Sequence, residues 1–268
     1  MHRSLPRLVT LVGLALLGAV GLAGCGAASK VTQPALNQIH SNDAANQVGI
    51  LMYADGAASP VPSGLVAQGP TGSASLRGAG PMSVAAETTL VRNGVAWTFA
   101  IHWFDAQGTE QALYDPQTTV RMHADSHASG TGLGPQGSAT LGTSGTLDVA
   151  GISVLQDTLT TNATRQDTLS YSASGPSGSA TFLSRGAGAF DNVVEAKPES
   201  SNHPARGLAT WSLDVTKHLM STSGSIDEHF TATAVVTFNG TNLVPLVVNG
   251  TYHYLLDLDT GQVIAVGA

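Results

Sequence analysis

The chain has 268 residues, 42% hydrophobic and 11% charged, which is enough for one ordinary domain or two small ones. Its polarity comes from 25 Ser, 28 Thr and 31 Gly against three Lys, a composition that excludes a helix bundle with charged outer faces and suits twisted strands joined by tight turns. Eleven basic against 18 acidic residues give a net charge of −7, so nothing here can wrap a phosphate backbone, and nucleic acid is excluded as a partner.

The N-terminus opens with Arg3 and Arg7 and continues as an uncharged run from Leu8 to Ala23. As a helix that run would span roughly 24 Å, short of the ~30 Å hydrocarbon core, so it reads as an export signal rather than a membrane span. It ends in Leu22-Ala23-Gly24-Cys25, which resembles the lipobox of bacterial lipoproteins. The resemblance implies a signal peptide over 1–24, cleavage before Cys25, and acylation of Cys25 with palmitate-like chains. The partner would then be the membrane, held through an N-terminal lipid anchor, with the domain in the cell envelope outside the cytoplasm. Gly26 at the second mature position, where Asp would signal retention in the inner membrane, points to the outer membrane if the cell is diderm. Cys25 is the single cysteine, which excludes an internal disulfide, a catalytic thiol in the mature domain and a thiolate zinc site.

Residues 25–48 are small and polar, include Pro34, and show no apolar face at helical or strand spacing. They read as a flexible tether, with one β-rich domain over 49–268 and a short first strand at Val48 to Tyr53. Asp55 to Pro81 is dense in Gly, Pro and Ser and reads as a long loop.

Strand periodicity becomes clear after Met82. Val95, Trp97, Phe99, Ile101 and Trp103 alternate with smaller or polar residues and form one apolar face. Asn93-Gly94 before them signals a two-residue hairpin, so Ser83 to Arg92 should pair antiparallel with them. Further strands are expected at Thr118 to Ser126, Gly145 to Leu159, Gln166 to Ala173, Ala180 to Ser184 and Leu208 to Lys217, where Trp211, Leu213 and Val215 face inward. A β-meander closes the chain: Phe230 to Phe238, Leu243 to Val248, Tyr252 to Leu258 and Val263 to Val266, with Asn239-Gly240 and Asn249-Gly250 as turns. Gly186 to Arg206, with Pro198 and Pro204, is expected as an excursion forming a rim or lid. The fold class is therefore all-β, an antiparallel meander forming a strongly curved sheet, half-barrel or sandwich. At fold level the pattern is similar to the half-barrel carriers among bacterial lipoproteins, and in texture to other β-rich exported bacterial proteins.

The sharpest polar constellation is His123-Ala124-Asp125-Ser126-His127, because on a strand His123, Asp125 and His127 project from one face. At ~3.3 Å per residue the two histidines lie about 13 Å apart, so a metal ion would need a further ligand from another strand. His102, His218, Asp227, His229 and His253 are the candidates for it. Scattered histidines on polar strand faces are otherwise ordinary surface residues.

Trp97, Trp103 and Trp211, with Phe230, Phe238, Tyr252 and Tyr254, fall on inner or half-buried faces, where they either line a ligand cavity or fill the core. Gly132-Leu133-Gly134-Pro135-Gln136-Gly137 matches the dinucleotide-binding spacing, but no amphipathic helix follows it, and the motif is rejected. Neither a Gly-x-Ser-x-Gly elbow nor a Ser-x-x-Lys pair occurs. Three readings follow: a non-catalytic, lipid-anchored envelope protein of binding or structural type, without cofactor; a carrier of apolar ligands with a pocket under Trp97 and Trp103; and a metal-binding module or metal-dependent enzyme using His123, Asp125 or His127.

Overall fold

The computed structural model describes residues 32–54, 86–134, 137–153, 155–175, 178–196 and 203–266. The export signal, Cys25 and the expected loop from Asp55 to Pro81 lie outside them.

Among the described residues one helix precedes one sheet. Helix α1 covers Gln33–Ala54. The strands are β1 (Ala86–Arg92), β2 (Val95–Asp105), β3 (Glu110–Gln111), β4 (Thr119–Gly134), β5 (Gly137–Ala150), β6 (Thr158–Gly175), β7 (Gly178–Ala196), β8 (Arg206–Ser221), β9 (Gly224–Phe238), β10 (Leu243–Val248), β11 (Tyr252–Asp257) and β12 (Val263–Ala265). All twelve form a single sheet in the order β1-β2-β4-β5-β6-β7-β8-β9-β10-β11-β12, with β3 pairing β2. Every pairing is antiparallel. This is the all-β meander expected from the sequence, and it is not closed into a barrel.

Period-two patterning fixes which face is covered, because a one-residue slip would exchange the two faces. On β8, Ala209, Trp211, Leu213, Val215 and Lys217 are buried while Thr210, Ser212, Asp214 and Thr216 are exposed. The hairpin at Asn93-Gly94 forms with positive φ at both residues, 48° and 84°, as the right-handed twist of the flanking strands demands. The rejected dinucleotide motif is the β4–β5 hairpin, with Gly134 paired to Gly137; two antiparallel strands meet there, and no helix follows.

From Gln33 onward helix α1 replaces the expected tether, whose residues 25–31 lie outside the described ones, and it replaces the expected strand at Val48 to Tyr53. The Thr32 carbonyl accepts from Leu36 N at 3.1 Å, making Thr32 the N-cap. Pro34 therefore sits in the first turn, where its missing N–H costs nothing. From Val48 to Met52 every residue is buried, so the helix has no polar side there. The reason is its surroundings: α1 touches β4 and β8 through β12, and the Tyr53 carbonyl accepts from Asn93 Nδ2 in the β1–β2 turn at 2.7 Å. The sheet curls around the helix and brings elements near both of its edges onto it. A helix enclosed on all sides shows no amphipathic period.

The helix is also tied down by polar contacts. Lys217 Nζ on β8 lies 2.6 Å from Asp43 Oδ2 and 3.9 Å from Glu228 Oε2, and His40 stacks on Phe230 at 4.2 Å. The Tyr254 hydroxyl donates to Asn42 Oδ1 at 2.7 Å and accepts from Gln38 Nε2 at 3.2 Å. At the far end Gly49 lies against the β11–β12 turn so closely that a Cβ on it would stand 2.2 Å from the Gly261 carbonyl oxygen.

Two other strand expectations are corrected. Gly145 to Leu159 is two strands, because Gly151, at φ 84°, breaks the run before β6. The excursion expected from Gly186 is ordinary strand as far as Ala196: its small residues leave space for large neighbours instead of making a loop, so no lid starts at Gly186. β7 does bend near Asn192, where a bulge shifts its register against both neighbours.

Candidate functional site

The inward side chains form two hydrophobic clusters. One surrounds α1 and takes in Trp211 and Phe230; the other lies under β2 and β4 and holds Phe99, Ile101, Trp103 and Met122. Between them, on β6, the alternation places Arg165 and Asp167 inward, 7% and 4% exposed. Arg165 Nε donates to Asp167 Oδ1 at 2.7 Å, and its Nη2 reaches the same oxygen at 2.7 Å. An ion pair so far out of water is tolerable because each charge is met at close range by the other.

Two of the three sequence-predicted tryptophans converge on this pair. The Arg165 guanidinium lies 5.9 Å from the Trp97 ring centre, close enough for a cation–π contact. Trp211 approaches from β8 over Gly188 of β7; a Cβ on Gly188 would stand 2.8 Å from Trp211 Nε1 and 2.9 Å from Arg165 Cγ. The bare backbone at Gly188 is what lets the indole and the arginine stem come together. Trp211 is held from its other side by Phe190, edge-on at 5.6 Å. Trp103 does not join them. It packs in the second cluster against Tyr114 at 5.0 Å and belongs to the core.

Three buried polar atoms around the pair have no hydrogen-bond partner among the described residues: Trp97 Nε1, Trp211 Nε1 and Asp167 Oδ2. Two are donors and one is an acceptor. Leaving such groups unpaired costs about 1–3 kcal/mol each, so they are met by a buried water or by a guest that both accepts and donates. Sequence reasoning found the tryptophans and missed Arg165 and Asp167. The available signal was the pattern Arg165, Asp167, Leu169, Tyr171, which sets two charges in phase with two core residues.

The metal candidates are distributed differently. His123 is half-buried, while Asp125 and His127 are exposed on the solvent side of β4. His123 Nδ1 pairs with Asp148 Oδ1 at 3.0 Å. Of the proposed extra ligands only His102 comes beside it, at 6.4 Å between ring centres. Asp227 pairs with His218, and His229 with Asp214 at 2.7 Å, all on β8 and β9. Among the described residues no group of three or more His, Cys, Asp or Glu side chains is placed to hold a metal ion.

His127 instead borders an open trough of about 650 Å³ on the solvent side of β4 through β9. Ser144, Gln166, Arg185, Ser212, Asp214 and Asp167 of the interior pair also line it, and none of the three tryptophans does. Among the described residues no helix is long and apolar enough to cross a membrane.

Comparison with protein-family models, with curated proteins and with solved structures found no match.

Proposed function

We propose that this chain is a lipid-anchored protein of the bacterial cell envelope, of binding type, holding a small neutral molecule that bears hydroxyl or amide groups inside its curled sheet. The lipobox-like sequence ending in Cys25 supports the anchor. The convergence of Trp97 and Trp211 on the buried Arg165–Asp167 pair carries the binding half. Because the pair is neutral overall, an anion would be drawn by Arg165 and repelled by Asp167. A hydroxyl can accept from an indole N–H and donate to Asp167 Oδ2, which is the combination left unsatisfied.

Native mass spectrometry of the full chain, purified from its own envelope, tests the binding half. A bound mass of small-molecule size that disappears on denaturation, and is absent from Arg165→Met, is the expected result. A clean apo mass, with ordered water alone on the three orphan atoms in a high-resolution crystal structure, would overturn it. Metabolic labelling with an alkyne fatty acid tests the anchor: label on the wild type and none on Cys25→Ala is expected, and equal labelling would refute it.

A further inference from the structure

Four side chains form a line across the solvent face of the sheet: Glu110 on β3, His102 on β2, His123 on β4 and Asp148 on β5. His102 and His123 are directly paired across β2 and β4, and His123 and Asp148 across β4 and β5. Glu110 pairs with Phe104, two residues along the same face from His102. Each histidine is gripped at the same ring atom from the outside of the pair, His102 Nδ1 by Glu110 Oε1 at 2.7 Å and His123 Nδ1 by Asp148 Oδ1 at 3.0 Å.

That arrangement sets both tautomer and direction. A carboxylate at Nδ1 holds the proton there and leaves Nε2 with its lone pair, and a carboxylate on the second ring nitrogen is the usual companion of a metal-bound histidine. The two Nδ1 atoms point apart, toward β3 and toward β5. The two ring nitrogens are both bonded to Cε1 and their lone-pair directions diverge widely, so with each Nδ1 held outward Nε2 faces away from the sheet and toward the neighbouring ring. Both rings are about one-third exposed, 32% and 34%, and an ion can reach them from solvent.

We infer that His102 and His123 form a two-histidine site for a divalent transition metal ion of the zinc, nickel or copper type. Two imidazoles on one tetrahedral ion, with bonds of about 2.1 Å, put their ring centres roughly 5 to 5.5 Å apart. The observed 6.4 Å is about 1 Å longer than that, a gap within reach of side-chain rotation. Imidazole donors favour these borderline ions over magnesium and calcium. Water completes the shell, so the bound ion keeps open positions. This site is separate from the interior pair at Arg165 and does not rest on the reading of that pair.

The test is titration of the full chain with zinc chloride by calorimetry, and with copper(II) by electron paramagnetic resonance. One ion per chain is expected, with nitrogen hyperfine structure from two imidazoles. His102→Ala and His123→Ala should each weaken binding at least tenfold, and the paired Glu110→Gln and Asp148→Asn substitutions by about 10- to 100-fold. His127→Ala, two positions beyond Asp125 on the same face, should leave binding unchanged. Stoichiometric binding that survives the double substitution of His102 and His123, or a copper spectrum with one nitrogen, would overturn the assignment. So would the absence of saturable binding at millimolar zinc while circular dichroism shows the chain folded.

Discussion

Lys217 on β8 and Asp43 on α1 meet at 2.6 Å, and this largely buried pair is a charged link between the helix and the sheet that curls around it. Removing one member leaves the other charge uncompensated, which costs about 3–5 kcal/mol. Lys217→Met should therefore lower the urea midpoint sharply. Burial raises the Asp43 pKa above its ordinary 3.8 even against the pull of Lys217, and without Lys217 it rises further. A group raised in the folded state stabilises fully below its unfolded pKa and loses that contribution as pH rises through the folded value. The penalty of Lys217→Met should thus be smaller at pH 5 than at pH 7.5. Equal penalties at both would mean that Asp43 is not the charge left behind.

Gln47 is fully buried in α1, and both its side-chain amide atoms lack a hydrogen-bond partner among the described residues. An unmet buried donor or acceptor costs about 1–3 kcal/mol, while an apolar side chain of similar volume carries no such cost. Gln47→Met is expected to stabilise the chain by roughly 1 kcal/mol. Destabilisation by the same amount would show that the amide is satisfied in solution, most simply by a buried water.

Two tyrosines set an alkaline limit. Burial lifts Tyr171 well above the ordinary phenol value of 10.0, and lifts Tyr254 to about 12. Both favour the folded state fully below pH 10. That contribution falls as pH rises toward the folded values, by roughly 1.4 kcal/mol per pH unit for each tyrosine. Denaturant unfolding at pH 9 and pH 11 should show a loss that is shallower in Tyr254→Phe. An identical slope in the variant would place the alkaline sensitivity elsewhere.

Strand residues betrayed themselves because a half-buried strand must alternate, and β2, β8 and β9 do so in plain view. The helix did not, for the opposite reason. With the sheet on every side of its second half, α1 needs no polar stripe, and Val48 to Met52 reads as readily as a strand. Pro34 added a false breaker that first-turn geometry neutralises. The glycines of β7 misled in the same way: Gly186 and Gly188 resemble loop residues in a sequence, but they are spaces that Leu213 and Trp211 fill. Of the candidate sites, Trp97 and Trp211 were legible as inward aromatics. Their convergence on Arg165 was not, since it depends on how far the sheet curls. His102 was legible as one of five candidate partners for His123, and its place beside His123 is a matter of register.

Gly188 offers the sharpest probe of the interior pair. Its backbone is extended, so alanine brings no conformational strain, and the only consequence is a methyl group that would stand 2.8 Å from Trp211 Nε1 and 2.9 Å from Arg165 Cγ. Neither neighbour can retreat freely, since Trp211 is backed by Phe190 and Arg165 is fixed to Asp167. Overpacking of this kind costs about 1–3 kcal/mol. Gly188→Ala should therefore fold with a lowered urea midpoint, a shifted tryptophan emission and, if a guest occupies the three orphan atoms, loss of its mass in the native spectrum. Gly108→Ala serves as the control, because nothing lies within 4 Å of a Cβ there; its φ of 80° makes alanine strained in the backbone alone. It should reduce stability without touching either the emission or the bound mass. Loss of the bound mass in both variants would tie binding to global stability and detach it from the pair.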